Sequence, residues 1–236
     1  MKKSPAAKSV AKAKDLRFTI VATDVVLWTI TDSRLLVRLI PVNIPGFIKD
    51  KNGLPGGLVK PEENTDQSVK RILAAKAKIS TSKVYLEQLY TFSGINRDPR
   101  GRVVAVAYTG IVPWDQLTSS ERESVPGEVW WNDVAKLPAM AYDHKEIISQ
   151  AIVRLRTRVA YTNIIAHFLP KEFTLTDLQE AYELILGKAL DKRNFRKKIL
   201  LLGILKALSK ERRGGKFRPA KLYSFKTLET KDIEIL

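Results

Sequence analysis

Residues 53–79 constrain this chain more than any other stretch. They begin Gly-Leu-Pro-Gly-Gly-Leu-Val-Lys-Pro-Glu-Glu and continue in a helix-like run to Ile79. Leu54-Pro55-Gly56-Gly57 is a loop, because two adjacent glycines reach backbone angles that other residues avoid. Glu63 stands six residues after Gly57, and Arg71 eight after Glu63. The helix is expected to start near Asn64 or Thr65 and to run to about Lys78. Taken alone, this is a glycine turn ahead of an ordinary helix.

The spacing resembles the Nudix box, G-x5-E-x7-R-E-U-x-E-E-x-G-U with U apolar. In its working members this loop–helix–loop hydrolyses nucleoside diphosphates linked to another group. Helix positions i, i+3 and i+4 share one face, so glutamates there gather divalent cations around a diphosphate. Here the aligned positions hold Ile72, Ala75 and Lys76, and the loop glycine is Lys78. One carboxylate cannot furnish an all-oxygen magnesium site, and Lys76 puts a positive charge where the metal would sit. The expectation is a site without catalytic residues or metal that holds a phosphorylated ligand uncut, with Gly57, Glu63, Arg71 and Lys76 as candidate contacts.

Composition narrows the partners. The 236 residues suit one large domain or two small ones, and 44% hydrophobic content suffices for real cores. No apolar run reaches the ~18 residues a membrane-crossing helix needs, and residues 1–14 lack the apolar centre of a secretory signal. With no cysteine there are no disulfides and no thiolate zinc site, which fits a cytoplasmic protein. The net charge of +16 divides into +5 for residues 1–14, +1 for 15–150 and +10 for 151–236. Such asymmetry points to a polyanion, most simply nucleic acid.

Along the chain, residues 1–14 read as a disordered basic tail. Residues 17–30 and 35–39 read as strands joined by the turn Thr31-Asp32-Ser33, and 41–53 as a loop with a Pro45-Gly46 turn. Strands are expected over 85–91 and 103–113, and residues 113–125 as a polar connector. The run Tyr-Thr-Phe-Ser-Gly-Ile-Asn-Arg-Asp-Pro-Arg-Gly-Arg-Val-Val, residues 90–104, is similar to the Asp-Pro-Arg-Gly stretch of ADP-ribose-type Nudix proteins and of Nudix-related transcriptional regulators. Arg97, Arg100 and Arg102 bring three guanidiniums to one loop, where each could pair bidentately with phosphate or simply with nearby acids. Ala141-Tyr142-Asp143-His144 opens a helix whose apolar residues Ile147, Ile148, Ala151, Ile152 and Leu155 recur at helical spacing. His144 reads as a hydrogen-bonding residue at that helix start, and His167 as a packed core histidine.

The C-terminal part has the order helix, helix, turn, helix, basic hairpin. A first short helix is expected over 160–168. Thr176 with Gln179 reads as the capping box of the second, which Gly187 ends. Asp191 is a good N-cap for the third. Phe195, Ile199 and Leu202 form its inward stripe, leaving Lys192, Arg193, Asn194, Arg196 and Lys197 near its start. That is the layout of a recognition helix, with base and phosphate contacts first and core contacts after. Strands at 203–208 and 221–225 flank a Gly-Gly turn rich in cations, including Arg212, Arg213, Lys216 and Arg218, which resembles the wing of a winged helix–turn–helix.

Over residues 16–225 the chain resembles the Nudix-related transcriptional regulator family. The resemblance implies an α/β (α+β) Nudix-like αβα sandwich with a C-terminal winged helix–turn–helix. It divides the chain into a tail (1–14), an effector domain (15–141), a linking helix (142–159) and a DNA-binding domain (160–228). Family members are homodimers that bind palindromic duplex operators and sense a small ligand in a degenerate Nudix domain. In the NAD branch the ligand is ADP-ribose, which releases DNA; related branches sense sugars. Two departures from the family stand out: Lys78 replaces the box glycine, and Asn52-Gly53 precedes Leu54 where many relatives carry an aromatic. Two other classes compete. An active ADP-ribose or nucleotide pyrophosphatase would release AMP with magnesium, and an RNA adaptor would prefer RNA to duplex DNA, although the chain lacks the exposed aromatics of base-stacking modules.

Overall fold

The computed structural model describes residues 19–123, 130–212, 219–233 and 235. The expected basic tail lies outside these residues, as do Arg213, Lys216 and Arg218 of the expected wing. β1 (Ile20–Thr31) and β2 (Arg34–Ile44) form a hairpin. Its turn residues Asp32 and Ser33 take φ of 48° and 55°, the left-handed pair whose twist matches that of the flanking strands.

The expected loop over 41–53 is corrected. β2 continues through Pro41 to Ile44 and pairs with β3 (Ile48–Gly53) around the Pro45-Gly46 turn. β3 reads Ile-Lys-Asp-Lys-Asn-Gly, so apolar alternation could not reveal it; such charge is what an edge strand tolerates. Within the glycine loop, β4 (Gly56–Leu58) adds antiparallel to β1. α1 (Thr65–Ile72) starts at Asn64, whose side chain forms a capping box with Gln67, and Leu73–Ala77 continues it as a π-helical turn.

β5 (Tyr85–Phe92), β6 (Val103–Ile111), α2 (Ser119–Arg122) and β7 (Trp130–Asp133) complete the N-terminal unit. The sheet order is β3-β2-β1-β6-β5, with β4 on β1 and β7 on β2. β1 pairs with β6 in parallel and is buried on both faces, as its nearly continuous apolar sequence requires. Val25 and Leu27 face Val69, Ile72 and Leu73 on one side. Val26 and Trp28 belong to the core that also holds Ile147, Ile148 and Ala151 of α3 (His144–Tyr161). Helices thus cover both faces, the αβα sandwich. A fully buried arginine, Arg38, fastens the end of the box helix: Nε donates to Ala77 O at 3.2 Å, and the guanidinium lies 5.0 Å from the Trp131 ring centre. Burial lowers its pKa to about 10. Its position on an apolar strand gave no hint of that role.

α3 runs two residues past the expected end of the linking helix at 159 and breaks at the extended Thr162 before a short 3-10 turn, Asn163–His167. His167 is half-buried rather than a core residue. It stacks on Tyr85 of β5 with ring centres 4.2 Å apart, and burial pushes its pKa down to about 4. β8 (Phe173–Thr174) leads into α4 (Leu175–Leu186), then α5 (Lys192–Leu201), β9 (Leu205–Arg212) and β10 (Ala220–Phe225). These strands form a second sheet, ordered β8-β10-β9. The α4 cap is a second correction. Thr174 rather than Thr176 is the N-cap: its hydroxyl accepts from Asp177 N, and the Asp177 carboxylate accepts from Thr174 N. Both threonines have a suitable partner three residues on, and pairing of Thr174 in β8 decides between them. Thr176 Oγ1 instead accepts from Arg196 at 2.9 Å.

Replacing Thr174 by Ala should therefore cost about 1 kcal/mol of stability, read by urea unfolding of the purified protein. Thr176→Ala should cost less than half as much. Equal costs would contradict this assignment of the cap.

Candidate ligand pocket and DNA-binding surface

A cavity of about 330 Å³ opens beside the glycine loop. The second half of β2, from Ile40 to Ile44, forms its apolar wall, and Lys76, Arg97 and Arg100 supply cations. The loop lies close over β1: a Cβ on Gly56 would fall 1.9 Å from Asp24 Oδ1, so only glycine fits. Lys76 Nζ reaches across from the π-helical turn to donate to Gly56 O at 2.5 Å. Its pKa is pushed down by burial and raised again by Asp24.

Of the residues expected to meet a ligand, Gly57, Lys76, Arg97 and Arg100 line this cavity. The others do not. Arg71 and Glu63 pair with each other through two guanidinium nitrogens, and Arg71 also donates to Leu58 O at 3.1 Å. That bond to Arg71 holds the Glu63 carboxyl down at about 2, and the pair ties the loop to α1. Arg102 closes its own loop by donating to Ser93 O and Gly94 O at 2.8 and 3.0 Å. Among the positions where the box carries glutamates, Ile72 is fully buried in the core and Ala75 is exposed outside the cavity lining. Among the described residues, no group of three or more His, Cys, Asp or Glu is arranged to hold a metal ion.

Sequence reasoning missed the acidic half of the pocket. Asp24 is buried on β1 and accepts from Arg97 Nη2 at 3.3 Å. Its signal was a lone carboxylate in an otherwise apolar strand. Asp98 accepts from Arg100 Nε and Nη2 at 3.0 and 2.7 Å, and the Arg100 guanidinium lies 5.8 Å from the Tyr142 ring centre. His144 is buried; its Nδ1 accepts from Leu54 N at 2.9 Å, and its Nε2 stands 3.7 Å from Asp24 Oδ1. This is the helix-start hydrogen bond expected of it, in a place that also lines the cavity. Burial lowers its pKa, and Nδ1 as acceptor leaves the proton on Nε2.

In the C-terminal unit, the Asp191 side chain caps α5 by accepting from Asn194 N at 2.8 Å. Phe195 and Ile199 turn inward, Phe195 meeting Tyr182 with ring centres 5.3 Å apart. Lys192, Arg193, Asn194 and Lys197 are exposed. Arg196 is half-buried and occupied by Thr176, and Arg212 pairs with Asp177 at 2.8 Å. The helix thus offers an exposed basic face at its start and an apolar one to the core.

The family model of the NrtR DNA-binding winged helix domain matches residues 165–225. The "ADPR responsive transcriptional repressor NtrR" of Acinetobacter baylyi is 32% identical over 209 residues, which is 87% of this chain and 82% of that one. The chain belongs to the NrtR family. Shewanella oneidensis NrtR, in a crystal structure with a 27mer DNA, is 32% identical with a TM-score of 0.74, over 87% of this chain and 93% of that chain. A MutT/nudix family protein of Enterococcus faecalis is 27% identical with a TM-score of 0.69, over 91% and 90%. Within the NrtR fold, α4 and α5 are the helix–turn–helix and β9–β10 the stem of the wing.

Lys78, at the position of the box glycine, takes the left-handed conformation with φ 57° and ψ 39°. A lysine there carries the cost that glycine avoids, roughly 1–2 kcal/mol. Lys78→Gly should raise stability by about 1 kcal/mol in urea unfolding, the unfolded-state entropy of glycine offsetting part of the gain. A loss of stability would show that the Lys78 side chain holds the turn.

Proposed function

We propose that the chain is a DNA-binding transcriptional repressor of the NrtR family that senses ADP-ribose and governs genes of NAD metabolism. ADP-ribose occupies the cavity beside Gly57, its diphosphate facing Lys76 and Arg100 and its apolar surfaces lying on the β2 wall. Lys192, Arg193, Asn194 and Lys197 meet the operator, the lysines at phosphates and Arg193 and Asn194 at base edges. The wing cations Arg212, Arg213, Lys216 and Arg218 add phosphate contacts. The protein acts as a cytoplasmic homodimer on a palindromic duplex. Among the described residues no helix is long and apolar enough to cross a membrane.

The observation that carries this reading is the joint likeness to an ADPR responsive repressor over 87% of the chain. The chemistry agrees with it. With Ile72, Ala75 and Lys76 in place of the box glutamates, the pocket can attract a diphosphate but cannot assemble the metal cluster that cleaves one. It is therefore a sensor rather than a hydrolase, and no metal takes part in binding.

The test is binding of the full-length protein to duplex DNA from upstream of its own operon, with and without ADP-ribose. Selective binding that ADP-ribose weakens is expected. Lys192→Ala and Lys197→Ala should each weaken binding to all duplexes and reduce the salt slope by about 1, whereas Arg193→Ala should also relax selectivity. Binding no tighter than to random duplex would overturn the repressor. Magnesium-dependent AMP release would overturn the non-hydrolytic pocket.

A further inference from the structure

The pocket is nearly balanced in charge, and this limits how an anion can enter. Three cations, Lys76, Arg97 and Arg100, line the site with two carboxylates, Asp24 and Asp98, and a third, Asp143, stands behind the lining on Arg97. His144 adds no charge, since burial favours its neutral form. A diphosphate entering this set meets guanidiniums already paired with carboxylates and an ammonium already bonded to Gly56 O.

Losing a partner has a different consequence at each of the three carboxylates. Asp98 sits on the same loop as Arg100, so that exchange stays local. Asp24 sits on the central strand, fixed on both sides by β4 and β6. Asp143 sits at the N-cap of α3, yet its side chain makes no capping hydrogen bond. It is turned instead to Arg97, accepting from Nε at 2.8 Å and Nη2 at 2.7 Å. Arg97 is itself buried, its side chain only 4% exposed. The residue before Asp143, Tyr142, lines the cavity with φ 52°, a conformation disfavoured for a bulky side chain. The start of α3 is therefore held by this side-chain pairing together with backbone bonds such as Ala141 N to Asn52 O at 2.7 Å.

From that point α3 runs for 18 residues, about 27 Å, into the DNA-binding unit. Leu155 and Val159 share a core with Leu178, Ala181, Tyr182 and Ile185, and Arg156 Nε donates to Ile185 O at 3.0 Å. The far half of the helix thus packs on the winged helix, with Arg158 Nη2 also donating to Glu87 of β5 at 3.0 Å, while the near half is anchored beside the cavity.

We infer that Arg97 and Asp143 form the clamp through which a diphosphate ligand acts on the DNA-binding unit. The ligand draws Arg97 away from Asp143, the carboxylate is freed to cap α3, and the helix start shifts. This rests on the proposed ADP-ribose response and adds the contact that transmits it. Asp143 is a positioning residue: it does not line the cavity, and it acts through Arg97.

The experiment uses full-length protein, ADP-ribose and the upstream duplex, comparing wild type with Asp143→Asn, Asp143→Ser and Asp143→Glu. Asn and Ser both cap helices well, so the start of α3 survives while the ion pair is lost. The readout is the coupling factor, the duplex Kd with saturating ADP-ribose divided by the Kd without it. Asp143→Asn and Asp143→Ser should bring the factor to within about twofold of one, with ADP-ribose affinity unchanged or higher. Asp143→Glu, which keeps the carboxylate, should retain most of the wild-type factor. A wild-type factor in Asp143→Asn or Asp143→Ser overturns the clamp and leaves the sensor standing. A factor of one in the wild type overturns the ADP-ribose reading and the clamp together.

Discussion

One carboxylate on the central strand, Asp24, joins the segments that make this pocket. Strand β1 is buried on both faces, so a charge there must be paired. Asp24 meets Arg97 from the arginine loop and faces His144 at the start of α3, while Gly56 of the glycine loop closes over it. The close passage of that loop is possible only because residue 56 lacks a Cβ. Loop, arginine and helix start therefore converge on one buried anion. Arg97, held between Asp24 and Asp143, carries that convergence into the helix leading to the DNA-binding unit.

The same arrangement explains what has become of the box. A hydrolytic pocket needs carboxylates on the α1 face to concentrate metal charge on a diphosphate. Here one of those positions turns a methyl to solvent, one is sealed in the core, and one carries the ammonium of Lys76 over Gly56 O. The retained box pair, Glu63 and Arg71, has no part in the cavity lining and instead staples the loop to the helix. Charge remains in the site, and it is paired within the protein.

Much of this was legible in the residues. The box spacing gave the loop and helix, the Asp191 cap and Gly187 stop gave the helix–turn–helix, and the charge excess beyond residue 150 gave the polyanion partner. Two kinds of feature escaped. Strand β3 and the cap at Thr174 escaped because charged edge strands and competing threonines carry no distinctive local pattern. The acidic half of the pocket escaped because Asp24, Asp98 and Asp143 are brought together by folding, and a single carboxylate in each segment announces nothing by itself. For the same reason three arginines on one loop looked equivalent, although Arg97 is buried in a clamp, Arg100 stands at the rim and Arg102 only closes the loop.

One helix joins the ligand pocket to the DNA-binding unit, and thermodynamic linkage makes that union measurable from the ligand side. Calorimetric titration of ADP-ribose into the full-length protein, alone and saturated with the upstream duplex, is the most direct test. DNA should lower the affinity for ADP-ribose by the same factor by which ADP-ribose lowers the affinity for DNA. An ADP-ribose affinity indifferent to bound DNA would contradict the coupling of the two sites.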